Sequence, residues 1–330
     1  MEFVKINDTE IPQVVIGTWS WGEGLIGGGG IFGNKTDARI LREVFVSAVR
    51  NGFTLYDTAE IYSNGESEKI IGELTDYYNG KVEIEPGQKK KVQISTKYMP
   101  RFVENKTNVV KSVLGSLERT KQESIDIFWL HHPRYYKKLL KAIIPLVKEG
   151  KIKNIGVSNF NLKQAKDAKR ILEKEGIKLA GCQNHLSLIY QDCIKTGMLD
   201  WCKENDIKFF AYMIMEQGAL SGKYTKDNPL PSNSLRGKTY TPHVLEKLEP
   251  LFDEMKKLSE QYGVAVSQIP VAWALSKGTV PIIGATKQQH IYELTKAFDA
   301  KLKKEDIWVL ENIASKIKIH KKGFWEPKQK

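Results

Sequence analysis

The sequence predicts an eight-fold β/α barrel closed by a parallel sheet. Short apolar runs alternate with amphipathic helical stretches eight times along the chain. No linker interrupts the alternation, and 330 residues suffice for one large domain. Parallel neighbours need crossover helices, which the alternation supplies. A single barrel domain over residues 1–330 is therefore expected.

An N-terminal hairpin precedes the barrel. Phe3–Ile6 and Glu10–Gln13 flank the turn pair Asn7-Asp8, and the hairpin should cover the barrel bottom. Strand one is Val14–Trp19. Thr36–Arg50 follows with Ile40, Leu41, Val44, Phe45, Ala48 and Val49 at helical spacing, capped by Thr36 or Asp37. Strand two is Phe53–Asp57 and helix two Glu66–Tyr77. Val92–Lys97 and Lys106–Arg119 form the third unit. Ile125–His131 and Lys137–Lys148 form the fourth, where Pro145 should kink or shorten the helix.

The second half repeats the scheme. Ile152–Ser158 and Leu162–Glu175 are unit five. Leu179–Gln183 is strand six, and Leu199–Asn205 lies in helix six. Ile207–Tyr212 is strand seven. A loop rich in Gly, Pro and Ser runs from about Met213 to Thr241. Helices follow at Val244–Tyr262 and Val266–Ser276. Val280–Ile283 is strand eight, Gln288–Ala297 is helix eight, and Lys304–Lys316 is an extra terminal helix.

Composition narrows the function classes. Hydrophobic residues make up 41% and charged residues 27%, as in a soluble globular protein. No apolar run is long enough to span a bilayer, and the first residues lack the apolar stretch of a signal peptide. Cys182, Cys193 and Cys202 form no metal-ligand spacing and fit a reducing cytoplasm. The net charge is +12, but the lysines are scattered. The clusters Lys89–Lys91 and Lys318–Lys322 match no nucleic-acid motif, so a solvated surface is the reading. The positive field favours an anionic cofactor or substrate. No metal, nucleic-acid or membrane partner is indicated, and the sequence carries no mark of oligomeric state.

Gly22-Glu23-Gly24-Leu25-Ile26-Gly27 spells GxGxxG after a strand. In a Rossmann fold that motif opens a helix, which receives the pyrophosphate. Here the glycines run on through Gly30 and Gly33, and the helix waits until Thr36. The segment reads as a flexible loop over the active site.

Catalytic groups of a β/α barrel lie at the C-terminal ends of its strands. Strand two ends at Asp57, strand three at Lys97 and strand four at His131, followed by His132; Tyr62 lies five residues beyond Asp57. Each alone has a bland reading as a cap, a loop aromatic or a solvated strand end. Together they form an acid–base device. A phenol titrates near about 10, and a nearby ammonium favours its anion. A carboxylate holds the ammonium, and a histidine orients a carbonyl oxygen that becomes negative.

Several segments resemble one family. Asp57-Thr58-Ala59-Glu60-Ile61-Tyr62-Ser63-Asn64-Gly65-Glu66-Ser67-Glu68 is similar to the DTAxxYxNExxxG or DTAxxYGxGxSE signature of the aldo-keto reductases. Gly17-Thr18-Trp19, Ser95-Thr96-Lys97 and Leu130-His131-His132-Pro133 resemble that family's GTW, strand-three lysine and LHxP elements. Gly156-Val157-Ser158-Asn159-Phe160 resembles its GVSNF, Gly222-Lys223-Tyr224 its GKY, and Val280-Pro281-Ile282-Ile283-Gly284-Ala285 its strand-eight motif. The motifs stand in the family's order over nearly the whole chain, closest to bacterial and plant-type members.

The resemblance implies an NADP(H)-dependent reductase of aldehydes or ketones, with NAD(H) the alternative cofactor and a small carbonyl compound the substrate. Tyr62 is the implied proton donor. Lys97 lowers its pKa, Asp57 pairs with Lys97, and His131 orients the carbonyl. Ser158, Asn159 and Gln183 are implied to hold the carboxamide and Tyr212 to stack on the nicotinamide. Thr18 and Trp19 fall near the ribose, and Gly284, Thr286, Lys287 and His290 at the adenosine phosphate end. The implied cofactor set also takes in Gly17, Asp57, Met213, Met215, Gly218, Leu220, Lys223 and Ile283.

Two departures stand out. Met213, Ile214 and Met215 replace the family's Ser-Pro-Leu and remove a hydroxyl. Lys287 offers a point charge where the family often has arginine. Trp21, Tyr98 and Trp129 are candidates for the substrate pocket beside Tyr62 and His131, with core packing the other reading of each ring. A nicotinamide-binding regulatory subunit on the same fold, like the potassium-channel β subunits, is the alternative function. The complete set Asp57, Tyr62, Lys97 and His131 favours the enzyme.

Overall fold

A computed structural model describes residues 2–24, 27–33, 37–83, 87 and 89–319. Strands β1 (Phe3–Ile6) and β2 (Thr9–Pro12) pair antiparallel across Asn7, whose left-handed backbone makes the turn. Eight parallel strands then close on themselves. They are β3 (Val15–Gly17), β4 (Leu55–Asp57), β5 (Gln93–Tyr98), β6 (Ile127–Leu130), β7 (Ile155–Ser158), β8 (Leu179–His185), β9 (Lys208–Tyr212) and β10 (Val280–Gly284), with β10 hydrogen-bonded to both β9 and β3.

The helices wrap this sheet: α1 (Ala38–Arg50), α2 (Glu66–Lys81), α3 (Lys106–Thr120), α4 (Tyr136–Lys148), α5 (Leu162–Glu173), α6 (Asp192–Lys195) and α7 (Met198–Glu204). After β9 come α8 (Leu235–Thr239), α9 (Pro242–Tyr262) and α10 (Gln268–Ser276). Helices α11 (Gln288–Lys296) and α12 (Lys304–Lys316) follow β10. The expected barrel, hairpin and terminal helix are all present.

Local chemistry explains the helices. Leu41, Val44, Phe45, Ala48 and Val49 form one buried stripe on α1. Asp37 caps α1 by accepting from the Arg39 amide, whereas the alternative cap Thr36 lies outside the described residues. Asn161 and Gln164 form a reciprocal capping box on α5. Pro145 does not break α4. It sits on the exposed face one turn from the helix end, and Lys141, whose carbonyl it leaves unpaired, is also exposed.

Alternation along the strands creates two apolar regions. Val15, Leu55, Ile127, Trp129, Ala180, Phe210, Val280 and Ile282 fill the interior, with Ile6 and Ile11 of the hairpin beneath them. Asn7 donates to Asn154 at 2.8 Å and Asn154 donates to Thr9 at 2.9 Å, fixing the hairpin across the bottom. Tyr56, Ile94, Tyr98, Phe128 and Leu130 face the helices instead. Strands one, four and five were expected three residues longer than the paired backbone, whereas β8 and β10 run on past Gln183 and Ile283.

The glycine segment after β3 forms a π-helical turn, Gly28–Phe32, before α1 begins. A Cβ at Gly27 would lie 2.0 Å from Ser63 Oγ, so this backbone packs directly on the loop carrying Tyr62. Among the described residues no α-helix begins before Ala38.

Candidate active site

Parity along adjacent strands assembles the site. Asp57 shares its strand face with Leu55, and Ser95 and Lys97 share theirs, so all point into the barrel. Asp57 stands opposite Ser95, and Lys97 opposite Trp129. Lys97 is completely buried. Its Nζ donates to Asp57 Oδ2 at 2.5 Å, to the Thr58 carbonyl at 2.6 Å and to the Tyr62 hydroxyl at 3.4 Å. The other carboxylate oxygen of Asp57 accepts from Ser95 Oγ at 2.7 Å and Gln183 Nε2 at 3.0 Å. A buried charge survives only when paired and hydrogen-bonded in this way.

Tyr62 lies in the loop after β4, its ring between Trp19 (5.9 Å, stacked) and His131 (6.0 Å, edge-on). Burial raises the phenol above its ordinary value of 10.0. Lys97 pulls it down, but Asp57 opposes that pull. Lys97 thus lowers the phenol as expected, but burial outweighs it and leaves the phenol protonated at neutral pH. Burial would also disfavour a charged Lys97, but Asp57 and Tyr62 outweigh it and keep the ammonium. Burial, Lys97 and His132 hold His131 well below 6.5, so its imidazole is neutral. Its Nδ1 has no partner among the described residues. His132 instead accepts from the Arg134 amide at 3.1 Å within the loop.

The implied cofactor residues cluster around this centre. Ser158 ends β7 and pairs with Gln183, two residues before the end of β8. Asn159 donates to the His131 carbonyl at 2.9 Å and accepts from the Tyr212 hydroxyl at 2.5 Å. Thr18 donates to the Asp57 carbonyl at 3.1 Å, and Gly17 pairs with Asp57 in the sheet. Met213, Met215 and Gly218 are partly exposed in the loop after β9, whereas the Leu220 side chain is fully buried. Burial lowers the His290 pKa, Glu293 opposes this, and Lys287 from the β10 end and Lys223 from the loop after β9 add to the lowering. Gly284 and Lys287 are exposed, Thr286 is half-buried, and Ile283 is buried. The Thr286 amide donates to His290 Nδ1 at 3.3 Å beside the start of α11.

For three aromatic rings the structure favours core packing, one of the two readings left open. Trp21 is buried against the sheet, donating to the Ala285 carbonyl at 2.9 Å. Tyr98 is buried with its hydroxyl on Glu104 at 2.7 Å. Being one residue from Lys97 on the same strand, Tyr98 must face the helices rather than the site. Trp129 has the inward parity but lies sealed within the barrel. None of the three presents a face to substrate.

Two functional candidates escaped the sequence reading. Arg236, nearly buried on α8, donates to the Gln217 carbonyl at 3.3 Å and lies 5.9 Å from the Phe32 ring and 5.8 Å from the Tyr224 ring. No carboxylate pairs with it among the described residues, and its Nε lacks a partner. Glu216 is fully buried and accepts from Ser187, Tyr240 and, at 2.9 Å, His185. His185 stacks on Tyr212 at 5.6 Å, so this network braces the loop after β9. Glu216 sits in irregular backbone and Arg236 on a helix of only five residues, neither of which periodicity locates. A lone cation or carboxylate among Gly, Pro and Ser was their only signal.

No group of metal-binding side chains occurs among the described residues, and no helix there is long and apolar enough to cross a membrane. Shallow clefts on the outer helices, one lined by Lys141, Ile144 and Glu175, lie away from the strand ends and hold none of this chemistry.

Known proteins match the chain in family and in fold. The family model described as "Aldo/keto reductase family" matches residues 13–315. The chloroplastic pyridoxal reductase of Arabidopsis thaliana is 26% identical over 325 residues, covering 94% of this chain and 85% of that one. Aldo-keto reductase YhdN of Bacillus subtilis is 27% identical over 316 residues, covering 93% and 91%. Among solved structures, the glycerol dehydrogenase AKR11B4 from Gluconobacter oxydans superposes with TM-score 0.79 at 24% identity, covering 96% of this chain and 95% of that one. The thermostable aldo-keto reductase Tm1743, in complex with the inhibitor epalrestat, gives 0.75 at 22%, covering 95% and 100%. The family's members are oxidoreductases that generally depend on a nicotinamide cofactor and act on small carbonyl compounds. This chain belongs to the aldo/keto reductase family.

Proposed function

We propose that the protein is a cytoplasmic NADP(H)-dependent reductase of an aldehyde or ketone, with Tyr62 as proton donor. The observation that carries this is the buried Asp57–Lys97–Tyr62 chain beside a neutral His131. The anionic cofactor fits the residues present. Arg236 is a nearly buried cation with no carboxylate partner among the described residues, and Lys223, Lys287 and His290 gather near the N-terminus of α11. Ser158, Asn159 and Gln183 would hold the carboxamide, and Tyr212 the nicotinamide face. Lys287 and Lys223 would meet the 2′-phosphate, which favours NADP(H) over NAD(H). When bound, the reduced nicotinamide supplies a hydride to the carbonyl carbon.

The side chains manage the carbonyl oxygen. Neutral His131 offers a ring N–H that orients it. Tyr62, kept protonated by burial, gives up its proton as charge develops on that oxygen. The Lys97 ammonium stabilises the phenolate left behind, and Asp57 keeps Lys97 in place. Buried cysteine thiols outside any disulfide fit a reducing compartment.

The test is loss of reduced-nicotinamide absorbance with NADPH or NADH against a carbonyl panel. Turnover should favour NADPH and fall by about 10²-fold or more in Tyr62→Phe, the scale of general-acid catalysis. Turnover that survives Tyr62→Phe refutes the mechanism. Tight cofactor binding with no turnover on any carbonyl supports the regulatory reading instead.

A further inference from the structure

We infer that Trp129 and Ser95 form a positioning relay beneath the catalytic pair, which sets where Asp57 holds the Lys97 ammonium against Tyr62. This rests on the reading of Tyr62 as the acid. The relay begins with a directional constraint. Trp129 Nε1 lies 2.7 Å from Ser95 Oγ, and an indole nitrogen can only donate. Ser95 therefore accepts there. Its single proton is left for Asp57 Oδ1, also 2.7 Å away. A hydroxyl otherwise free to rotate thus has one orientation, and the polar chain runs from indole to hydroxyl to carboxylate to ammonium to phenol.

The indole itself cannot move. A Cβ at Gly156 would lie 2.2 Å from Trp129 Cε3, and one at Gly181 would lie 2.9 Å from Cη2. Two adjacent strands thus give up their side chains where the ring lies. Phe210 packs edge-on at 4.9 Å, and the ring is wholly buried. The barrel interior thereby fixes Nε1, and through Ser95 it fixes one oxygen of Asp57. Gln183 holds the same oxygen at 3.0 Å, leaving the other to Lys97. The last link, from Lys97 to Tyr62, is the longest at 3.4 Å. A displaced carboxylate would alter that link before any other.

A buried indole needs an acceptor for packing reasons alone. That simpler account requires only a loss of stability when Trp129 or Ser95 is changed. The relay requires in addition that Tyr62 respond. Deleting the Ser95 hydroxyl leaves Asp57 leaning harder on Lys97, which then stabilises the phenolate less.

The experiment uses full-length Ser95→Ala, Trp129→Phe and Ser95→Thr, each checked for wild-type circular dichroism. The carbon-13 resonance of the Tyr62 Cζ is assigned by its absence in Tyr62→Phe. In Ser95→Ala and Trp129→Phe it should move part of the way toward its position in Lys97→Met. Ser95→Thr, which keeps the hydroxyl, should return it to the wild-type position. In turnover, kcat should fall about tenfold in the first two variants, the scale of one lost hydrogen bond. KM for the cofactor should hold, and the alkaline limb of the kcat profile should move up. An unmoved resonance in both folded variants overturns the relay, whatever happens to stability. A moved resonance in a protein without any carbonyl turnover leaves the relay standing and refutes the proposed reaction.

Discussion

Replacing Lys97 with methionine separates the electrostatic argument from the packing argument. The ammonium is buried and donates to Asp57, Thr58 and Tyr62. Methionine keeps much of the apolar stem and removes the charge. Asp57 then remains buried as an anion supported by Ser95 and Gln183 alone. Breaking a buried ion pair by removing one partner costs about 3–5 kcal/mol, so Lys97→Met should unfold at lower urea by that amount. Adding Asp57→Asn removes the stranded charge, while the amide oxygen still accepts from Ser95 and Gln183. The double variant should recover most of the lost stability and none of the lost activity. For activity, the single variant should lose about 10²–10⁴-fold in kcat, since the phenolate has no cation. Urea unfolding and turnover at neutral pH measure both. A Lys97→Met protein within about 1 kcal/mol of wild type would refute the buried-charge account. A double variant as unstable as the single one would show that the cost is packing.

Three further outcomes follow from particular contacts. Gly156→Ala places a Cβ 2.2 Å from the Trp129 ring, and thermal unfolding should show a loss of about 1–3 kcal/mol from overpacking; an unchanged Tm would contradict that fit. Glu216 is pushed up by burial, but His185 and the bonds from Ser187 and Tyr240 outweigh this and hold its carboxyl below 4.5. A carboxylate with a depressed folded value contributes stability above its unfolded value and loses it as pH falls through the folded one. Wild type should therefore lose Tm more steeply than Glu216→Gln once the pH drops below 4.5, and parallel curves would refute the assignment. Arg236→Met should weaken NADPH binding about tenfold or more, measured by fluorescence quenching, because a charge-assisted contact to phosphate is lost. An unchanged Kd would place the cofactor phosphates elsewhere.

The barrel was legible because its cause is periodic. Eight repeats of strand and helix leave few alternatives, and strand ends mark the rim where Asp57, Lys97 and His131 stand. Period two also held information that the sequence reading left unused. It separates Lys97 from Tyr98 by face, and it places Ser95 on the Lys97 face, beside Asp57. Trp129 shows where parity stops short. It points inward with Lys97, but only the missing side chains of Gly156 and Gly181 seal it inside rather than at the mouth. The loop after β9 was illegible for a different reason. Met213, Glu216 and Gln217 adopt left-handed backbone conformations that their side chains do not advertise, and Glu216 does so while gripped by His185, Ser187 and Tyr240. Contacts made across the fold decide that path, so local pattern could not locate Arg236 either.

The depth of the catalytic pair has a physical consequence for the proposed chemistry. Below Asp57 and Lys97 lies an apolar floor of Val15, Leu55, Ile127 and Val280, closed by Ile6 and Ile11 of the hairpin. Solvent is excluded from beneath, so the interactions of Lys97 with Asp57 and Tyr62 are weakly screened. The same exclusion that makes the ammonium effective would discharge it if Asp57 were absent, since burial alone lowers its pKa. The phenol has the opposite need: burial keeps it protonated until substrate oxygen becomes basic. One dry layer thus sets both groups in the protonation state an acid-catalysed reduction requires. Opening that floor, as Ile11→Ala in the hairpin would, should reduce kcat without touching the site, by admitting water beneath the pair. Turnover at the wild-type rate in a folded Ile11→Ala protein would show that the floor contributes stability alone.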